Sequence, residues 1–305
     1  IMPSLVGSEM CIRDRNKRVR LNIGLLVFII LLSSAILMPH DEVNQVLPRL
    51  TTIDQKDIFK IEVLRKNIDN FKFNRKKESW YMLSPIKFLA NTTRINAILH
   101  ILASESHGQL NRNAVDLARF NLIDPAITLK LNDHLFEFGN TDAIDARRYV
   151  MFNNKIHLID DLLYMQLMTN ATFFTDPKIL PNDMNIDAIQ FPSNRMKLIN
   201  HNWQTQKLID IKPEQLEQII FSWNNATAIS VSTYIAPETK PSITISSSDG
   251  ITIKFDIVST TPHLILGRED VGIQYHLSND ESEKLLLTEE PVSYTHLTLP
   301  TTPYV

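Results

Sequence analysis

Two tryptophans constrain this chain more than any other feature. Trp80 lies in the second strand of an expected hairpin, "NFKFNRKKESWYML", and Trp203 lies in "MKLINHNWQTQKLI", roughly 120 residues further on. A short strand precedes each hairpin, "IFKIEVL" (Ile58–Leu64) in one case and "DAIQF" (Asp187–Phe191) in the other. An amphipathic helix follows each. In "NTTRINAILHILASESHG" the residues Ile95, Ile98, Leu99 and Leu102 make one apolar stripe, with Asn91 or Thr92 as N-cap and Gly108 expected just past the C-terminus. The second helix starts at Pro213, where the first turn tolerates proline, and aligns Leu216, Ile219, Ile220 and Trp223.

Each half then closes with hairpins whose apolar alternation selects the turn. "AITLKLNDHLFEF" turns at Asn132–Asp133, which sets Ile127 opposite Phe138 and Leu129 opposite Phe136. "SITISSSDGITIKFDI" needs a three-residue loop, Ser248–Gly250. Only that register faces Ile243 with Phe255 and Ile245 with Ile253, and it gives Gly250 the left-handed position. "RRYVMFNNKIHLIDD" and "PHLILGREDVGIQYHLSND" supply the last strand pairs, and Ser278-x-x-Glu281 is a capping box for a final helix. An offset of this size is too long for a solenoid repeat and suits a duplicated small domain. The expected fold is α+β: a first repeat over residues 55–180 and a second over 181–291, each antiparallel strands plus an amphipathic helix.

Ahead of the repeats, "NKRVRLNIGLLVFIILLSSAILMPHDE" places Lys17, Arg18 and Arg20 before an apolar run from Leu21 to Met38. At ~1.5 Å per residue such a run just crosses a hydrocarbon core of ~30 Å. It is apolar on every face, unlike a helix half-buried in a soluble domain. The expectation is an uncleaved transmembrane helix over 21–38, with 16–20 a cytoplasmic tail, 39–54 a linker and the repeats exported. A cleaved signal peptide ending at Ser33-x-Ala35 is the rival, disfavoured because the apolar run continues through Met38.

The termini read differently from everything between them. "LVGSEMCIRD" can be encoded by CTC GTG GGC TCG GAG ATG TGT ATA AGA GAC, a transposase-type sequencing adapter in frame, and "VSYTHLTLPT" matches the complement of its partner. Residues 1–15 and 292–305 are therefore expected to be adapter read-through. Cys11, the only cysteine, falls inside the first stretch, so the remainder has no disulfide, thiolate nucleophile or cysteine metal ligand. A net charge of −3 argues against a nucleic-acid binder, which needs a dense positive field.

Several spaced motifs carry a family resemblance. "WYMLSP" before a helix, "DLARFNLIDPAITLKL", "EFGNTDAIDARRYV" and "KIHLIDD" together resemble the bacterial envelope family carrying domain of unknown function 4340. The chain departs from the family pattern at Asn121, where glycine is usual; asparagine tolerates a left-handed conformation and preserves the loop. The resemblance implies an anchored, exported bacterial protein, with some members encoded beside ABC-transporter subunits, and it carries over no catalytic residue. In a bacterial protein the sequons at Asn91, Asn170 and Asn225 carry no meaning.

Chemistry-bearing motifs are scarce. Gly108, Gly139, Gly250, Gly267 and Gly272 form neither a G-x-x-x-x-G-K-[ST] nor a G-x-G-x-x-G, and there is no G-x-S-x-G elbow or H-E-x-x-H. The nine histidines lack metal-ligand spacing and read as surface or cross-strand residues. "NRKK" (Asn74–Lys77) reads as a solvated turn cluster. The densest polar group is Arg147, Arg148, His157, Asp160 and Asp161. A turn at Asn153–Asn154 would set Arg147 opposite Asp160 and Val150 opposite His157, making a cross-strand ion pair, with Asp160 or Asp161 capping the helix "LLYMQLM". The adjacent arginines then face opposite ways, so the group is expected to be structural rather than an anion site.

No catalytic residue, cofactor or metal is expected. The expected role is a non-enzymatic interaction, scaffold or transport-accessory protein in the bacterial inner membrane, with the domain in the periplasm and ABC-transporter or envelope proteins as partners. The alternative is a periplasmic ligand-binding module using a cleft between the two repeats.

Overall fold

A computed structural model describes residues 9–37, 47–182, 184–207 and 211–286. The chain divides into two units, Ile1–Val46 and Leu47–Val305. The first contains helix α1 (Glu9–Leu37), whose described side chains, Val19 to Ser34, are all exposed. Among the described residues no helix is long and apolar enough to cross a membrane. The span expected over 21–38 reaches Met38, outside the described residues, as do residues 1–8 and 292–305 of the expected read-through. The helix itself starts at Glu9, inside the read-through expected over 1–15.

In the second unit, β1 (Lys60–Arg65), β2 (Phe71–Lys76), β3 (Ser79–Ser84) and β4 (Phe88–Leu89) lead into helix α2 (Thr92–Leu99). Next come β5 (Gly108–Asn111), β6 (Ile127–Leu131), β7 (His134–Thr141), β8 (Arg148–Phe152), β9 (Lys155–Ile159) and the one-turn helix α3 (Tyr164–Leu167). The sheet order is β4-β3-β2-β1-β6-β7-β8-β9-β5, antiparallel throughout. Helix α2 carries the chain from one end of the sheet to the other and covers the core face on the way. Its Asn91 cap accepts from the Arg94 N–H, and Ile95, Ile98 and Leu99 are buried. Each such side chain contributes about 1.5–3 kcal/mol by burial, which holds in place a helix too short to persist alone.

A second sheet repeats the first strand for strand. It comprises β10 (Ile186–Gln190), β11 (Arg195–Ile199), β12 (Asn202–Thr205), helix α4 (Pro213–Asn225), β13 (Ser230–Thr233), β14 (Ser242–Ser247), β15 (Thr252–Ser259), β16 (Ile265–Arg268), β17 (Ile273–His276) and helix α5 (Asn279–Leu285). Its order is β12-β11-β10-β14-β15-β16-β17-β13. With the two-residue β4 set aside, the sequences of strands coincide: a three-strand hairpin run, a covering helix, a far edge strand, then a four-strand meander returning beside the first strand. Trp80 is the second residue of β3 and Trp203 the second residue of its counterpart β12. α2 packs on β3 and α4 on β12, so the tryptophans do occupy like elements. Trp80 is buried and Trp203 only half-buried.

The hairpin registers follow the apolar pattern. Ile127 faces Phe138 and Leu129 faces Phe136; Ile243 faces Phe255, Ile245 faces Ile253, and Gly250 has φ +81°. Asn121 takes the left-handed conformation, φ 55° and ψ 38°. The first core gathers Phe71, Phe73, Phe174 and the stacked pair Phe136–Phe152, whose centroids are 4.5 Å apart. The second gathers Trp223, Phe255 and Tyr275.

Four local expectations change. Gly108 opens β5 instead of ending helix α2, because a 3-10 turn over His100–Ala103 follows the helix directly. Asn74, Arg75 and Lys76 belong to β2, leaving the turn to Lys77 and Glu78. The helix after β9 is N-capped by Leu163 with no side-chain bond, so neither Asp160 nor Asp161 caps it. The linker over 39–54 ends inside the fold: Leu50 and Thr51 are buried, and the Leu50 N–H donates to the Ser104 carbonyl at 2.7 Å.

Candidate functional site

The polar cluster sits where β8 and β9 open away from their Asn153–Asn154 turn, with Val150 opposite His157 and Arg148 opposite Ile159. Strand alternation sends Arg147 and Arg148 to opposite faces. Arg148 turns toward the core side, among Val150, Phe152 and Ile159. Its Nε and Nη2 donate to Asp161 Oδ1 and Oδ2 at 2.8 and 2.7 Å, Nη1 donates to the Gly139 carbonyl, and the guanidinium lies 3.6 Å above the Tyr164 ring centroid. Three of its five N–H donors and one face of the guanidinium are thus engaged within the protein.

Arg147 is more open. It meets Asp145 at 2.8 Å and Asp160 at 3.4 Å, and Asp160 also has His107 Nε2 at 3.4 Å, within ion-pair range but without a hydrogen bond. The Arg147 backbone N–H donates to Asp142, whose carboxyl lies below its usual range because the backbone N–H groups of Asp145, Arg147 and Ile144 favour the charged form.

His157 takes the cross-strand place expected of it, opposite Val150, but is not at the surface. It is only 4% exposed, because edge strand β5 closes over β9, and its Nδ1 lies 3.0 Å from Ser106 Oγ. Burial, aided by the charge of Lys155, pushes its pKa down and favours the neutral ring. Ser106 Oγ donates to the Gly108 carbonyl at 3.1 Å and is itself 2% exposed. A serine whose proton goes to a backbone carbonyl, sealed from solvent, is not poised as a nucleophile.

A cleft of about 730 Å3 lies between α2 with its following 3-10 turn and the segment joining β9 to α3, lined by Asn96, His100, Glu105, Asp160 and Gln166 among others. Of the five clustered residues only Asp160 lines it. Arg147, Arg148 and His157 do not converge there, and the cleft lies within the first repeat.

The second repeat holds a polar group with no signature in the sequence. On the outer face of β13 and β17 Ser232 Oγ lies 2.8 Å from His276 Nε2, and His263, just ahead of β16, brings its Nε2 to 3.4 Å from His276 Nδ1. Next to it, Tyr234 donates to the buried Asp256 at 2.7 Å, its ring packed against Gly267. Burial works to raise the Asp256 carboxyl, but Tyr234 and Lys254 outweigh it and hold it below the usual range. No local spacing announces this group, since its members come from positions 232 to 276. Among the described residues, no group of three or more His, Cys, Asp or Glu is arranged to hold a metal.

The sequence model of one protein family, described as Domain of unknown function (DUF4340), matches residues 80–250, from β3 of the first sheet to the β14–β15 turn of the second. No curated protein and no solved structure matches the chain.

Proposed function

The chain belongs to the DUF4340 family, and from that premise we propose that it is a membrane-anchored periplasmic protein acting without catalysis, as a scaffold or transport accessory. The observation that carries this reading is that the polar cluster of β8 and β9 bonds within the protein and does not converge on one cleft. Arg148 bonds Asp161 and Gly139, and His157 meets Ser106, which donates to Gly108, all within the first of two sheets of one topology. Duplicated sheets of this kind supply surface, and surface is what an assembly protein uses. The apolar run 21–38 behind Lys17, Arg18 and Arg20 supports the anchor, as do the apolar side chains along α1, Leu21 through Leu32. ABC-transporter or other envelope proteins are the partners this reading calls for.

A reporter fused after Pro291 tests the address. Periplasmic activity that is lost when Lys17, Arg18 and Arg20 become Glu supports it; cytoplasmic activity from the unaltered chain ends it. Affinity capture from detergent-solubilised membranes tests the role: stoichiometric recovery of a transporter or envelope protein is expected, and recovery of the chain alone would refute it.

A further inference from the structure

The outer face of the first sheet, opposite α2, is unusually basic for a chain whose net charge is −3. In one cross-strand row Lys72 on β2, Glu62 on β1 and Lys130 on β6 are direct neighbours. Lys60 lies two residues before Glu62 on the same face and bonds it at 2.8 Å. Lys76, at the end of β2, reaches to 5.6 Å from the centroid of Tyr81. Three lysines therefore surround one carboxylate, and a fourth, Lys76, stands further along the same face. Glu62 is held below the usual carboxylate range, first by the hydrogen bond from Lys60, against burial, and then by the charges of Lys60, Lys72 and Lys130. Glu137, on the same face in the row of Thr128, has its carboxyl pushed up by burial, against the charge of Arg112.

Exposed apolar side chains fill the spaces between the lysines: Tyr81, Leu83, Leu64 and Leu135 are each 36–43% exposed. Adjacent strands are ~4.8 Å apart, so Lys72 and Lys130 stand about 10 Å from one another across β1, and with Lys60 and Lys76 they spread over the strands instead of following one line. Lysine stems can lie on such a surface with their ammonium groups outward. Lysines spread in two dimensions over three neighbouring strands, with Leu and Tyr interleaved, match a two-dimensional array of negative charge with an apolar layer behind it. A groove would be needed to select a single acidic strand.

We propose that the outer face of β1, β2, β3 and β6, through Lys60, Lys72, Lys76 and Lys130, docks on an anionic lipid surface. The lysines would face headgroup phosphates while Tyr81 and Leu83 enter the interfacial layer. The proposal stands on the face itself and does not require the anchor.

The test uses the full chain with an environment-sensitive fluorophore at position 81 (Tyr81→Cys with Cys11→Ser), mixed with vesicles of phosphatidylcholine alone or with 40% phosphatidylglycerol. A blue shift confined to the phosphatidylglycerol vesicles and reversed by 0.5 M salt is expected. Changing Lys60, Lys72 and Lys130 to Gln should weaken that partitioning roughly fivefold per lysine, about a hundredfold together. Flotation with pure phosphatidylcholine reports the anchor separately, so its failure would leave this face untouched. No shift on phosphatidylglycerol, an equal shift on both lipids, or an undiminished shift in the triple variant would overturn the proposal. So would saturable binding of polyglutamate by a face that ignores vesicles, which would assign it to an acidic polypeptide.

Discussion

Arg148 and Asp161 form a two-point ion pair with side chains only 11% and 19% exposed, capped by the Tyr164 ring. Thirteen residues separate them in the chain, and the β8–β9 hairpin brings them together. Arg147 and Asp160, immediate neighbours of that pair, meet at 3.4 Å with Asp160 61% exposed. One hairpin thus carries a shielded and an open version of the same interaction.

Shielding decides what each pair is worth. Asp161→Ala leaves a largely buried guanidinium with one partner fewer and should destabilise by about 1.5–3 kcal/mol. Arg148→Met combined with Asp161→Leu should cost less than the two single changes together. Asp160→Ala should stay within about 1 kcal/mol. Urea unfolding of the set checks this, and equal costs at 160 and 161 would show that burial does not govern the pairs.

Trp223 fills the second core with no exposed surface and donates from Nε1 to the Leu285 carbonyl at 3.0 Å, tying α4 to α5. Trp223→Phe should cost about 1–3 kcal/mol, as the carbonyl loses its donor, and Trp223→Ala about 3–5 kcal/mol. Amide exchange should report the Phe variant first in α5. Protection there matching the unaltered protein would show that the bond does not hold the helix.

His157 makes stability depend on pH. Its folded-state pKa lies below the ordinary value of ~6.5, so as pH falls through that value the unfolded chain takes up a proton that the folded chain refuses. Stability should therefore be undiminished above pH ~6.5 and decline on acidification until the folded-state pKa is passed. His157→Gln should flatten that part of the thermal-melting profile. A profile of unchanged slope in the variant would place the titration elsewhere.

Gly267 leaves room for an aromatic ring. A Cβ there would overlap Cε2 and Cδ2 of Tyr234, which bonds Asp256. The bond to Asp256, with burial and the neighbouring charge, pushes the Tyr234 phenol up to about 12. Gly267→Ala should destabilise by about 1–3 kcal/mol and displace the ring, moving that titration back toward ~10 in ultraviolet difference spectra. A titration that stays high would show that the ring has another place to sit.

What the sequence by itself determined is local. The alternation of Ile127, Leu129, Phe136 and Phe138, and of Ile243, Ile245, Ile253 and Phe255, sets each hairpin register, because a slip of one residue would turn every apolar side chain to water. Asn91, Ser278, Asn121 and Gly250 act through backbone geometry within a few residues and were readable for the same reason. The order of elements around Trp80 and Trp203 was readable too, because each element announces itself by its own period. Tertiary structure alone decided which strands lie side by side across the long connections, and so what each polar residue meets. β5 reaches the far edge of the first sheet only after α2 has crossed it, and that crossing buries His157 against Ser106. Leu50 is buried by its contact with Ser104, and Lys60, Lys72 and Lys130 gather around Glu62 because β1 lies between β2 and β6. The free energy of such placements depends on groups far apart in the chain, and no single window of sequence contains both sides of the contact.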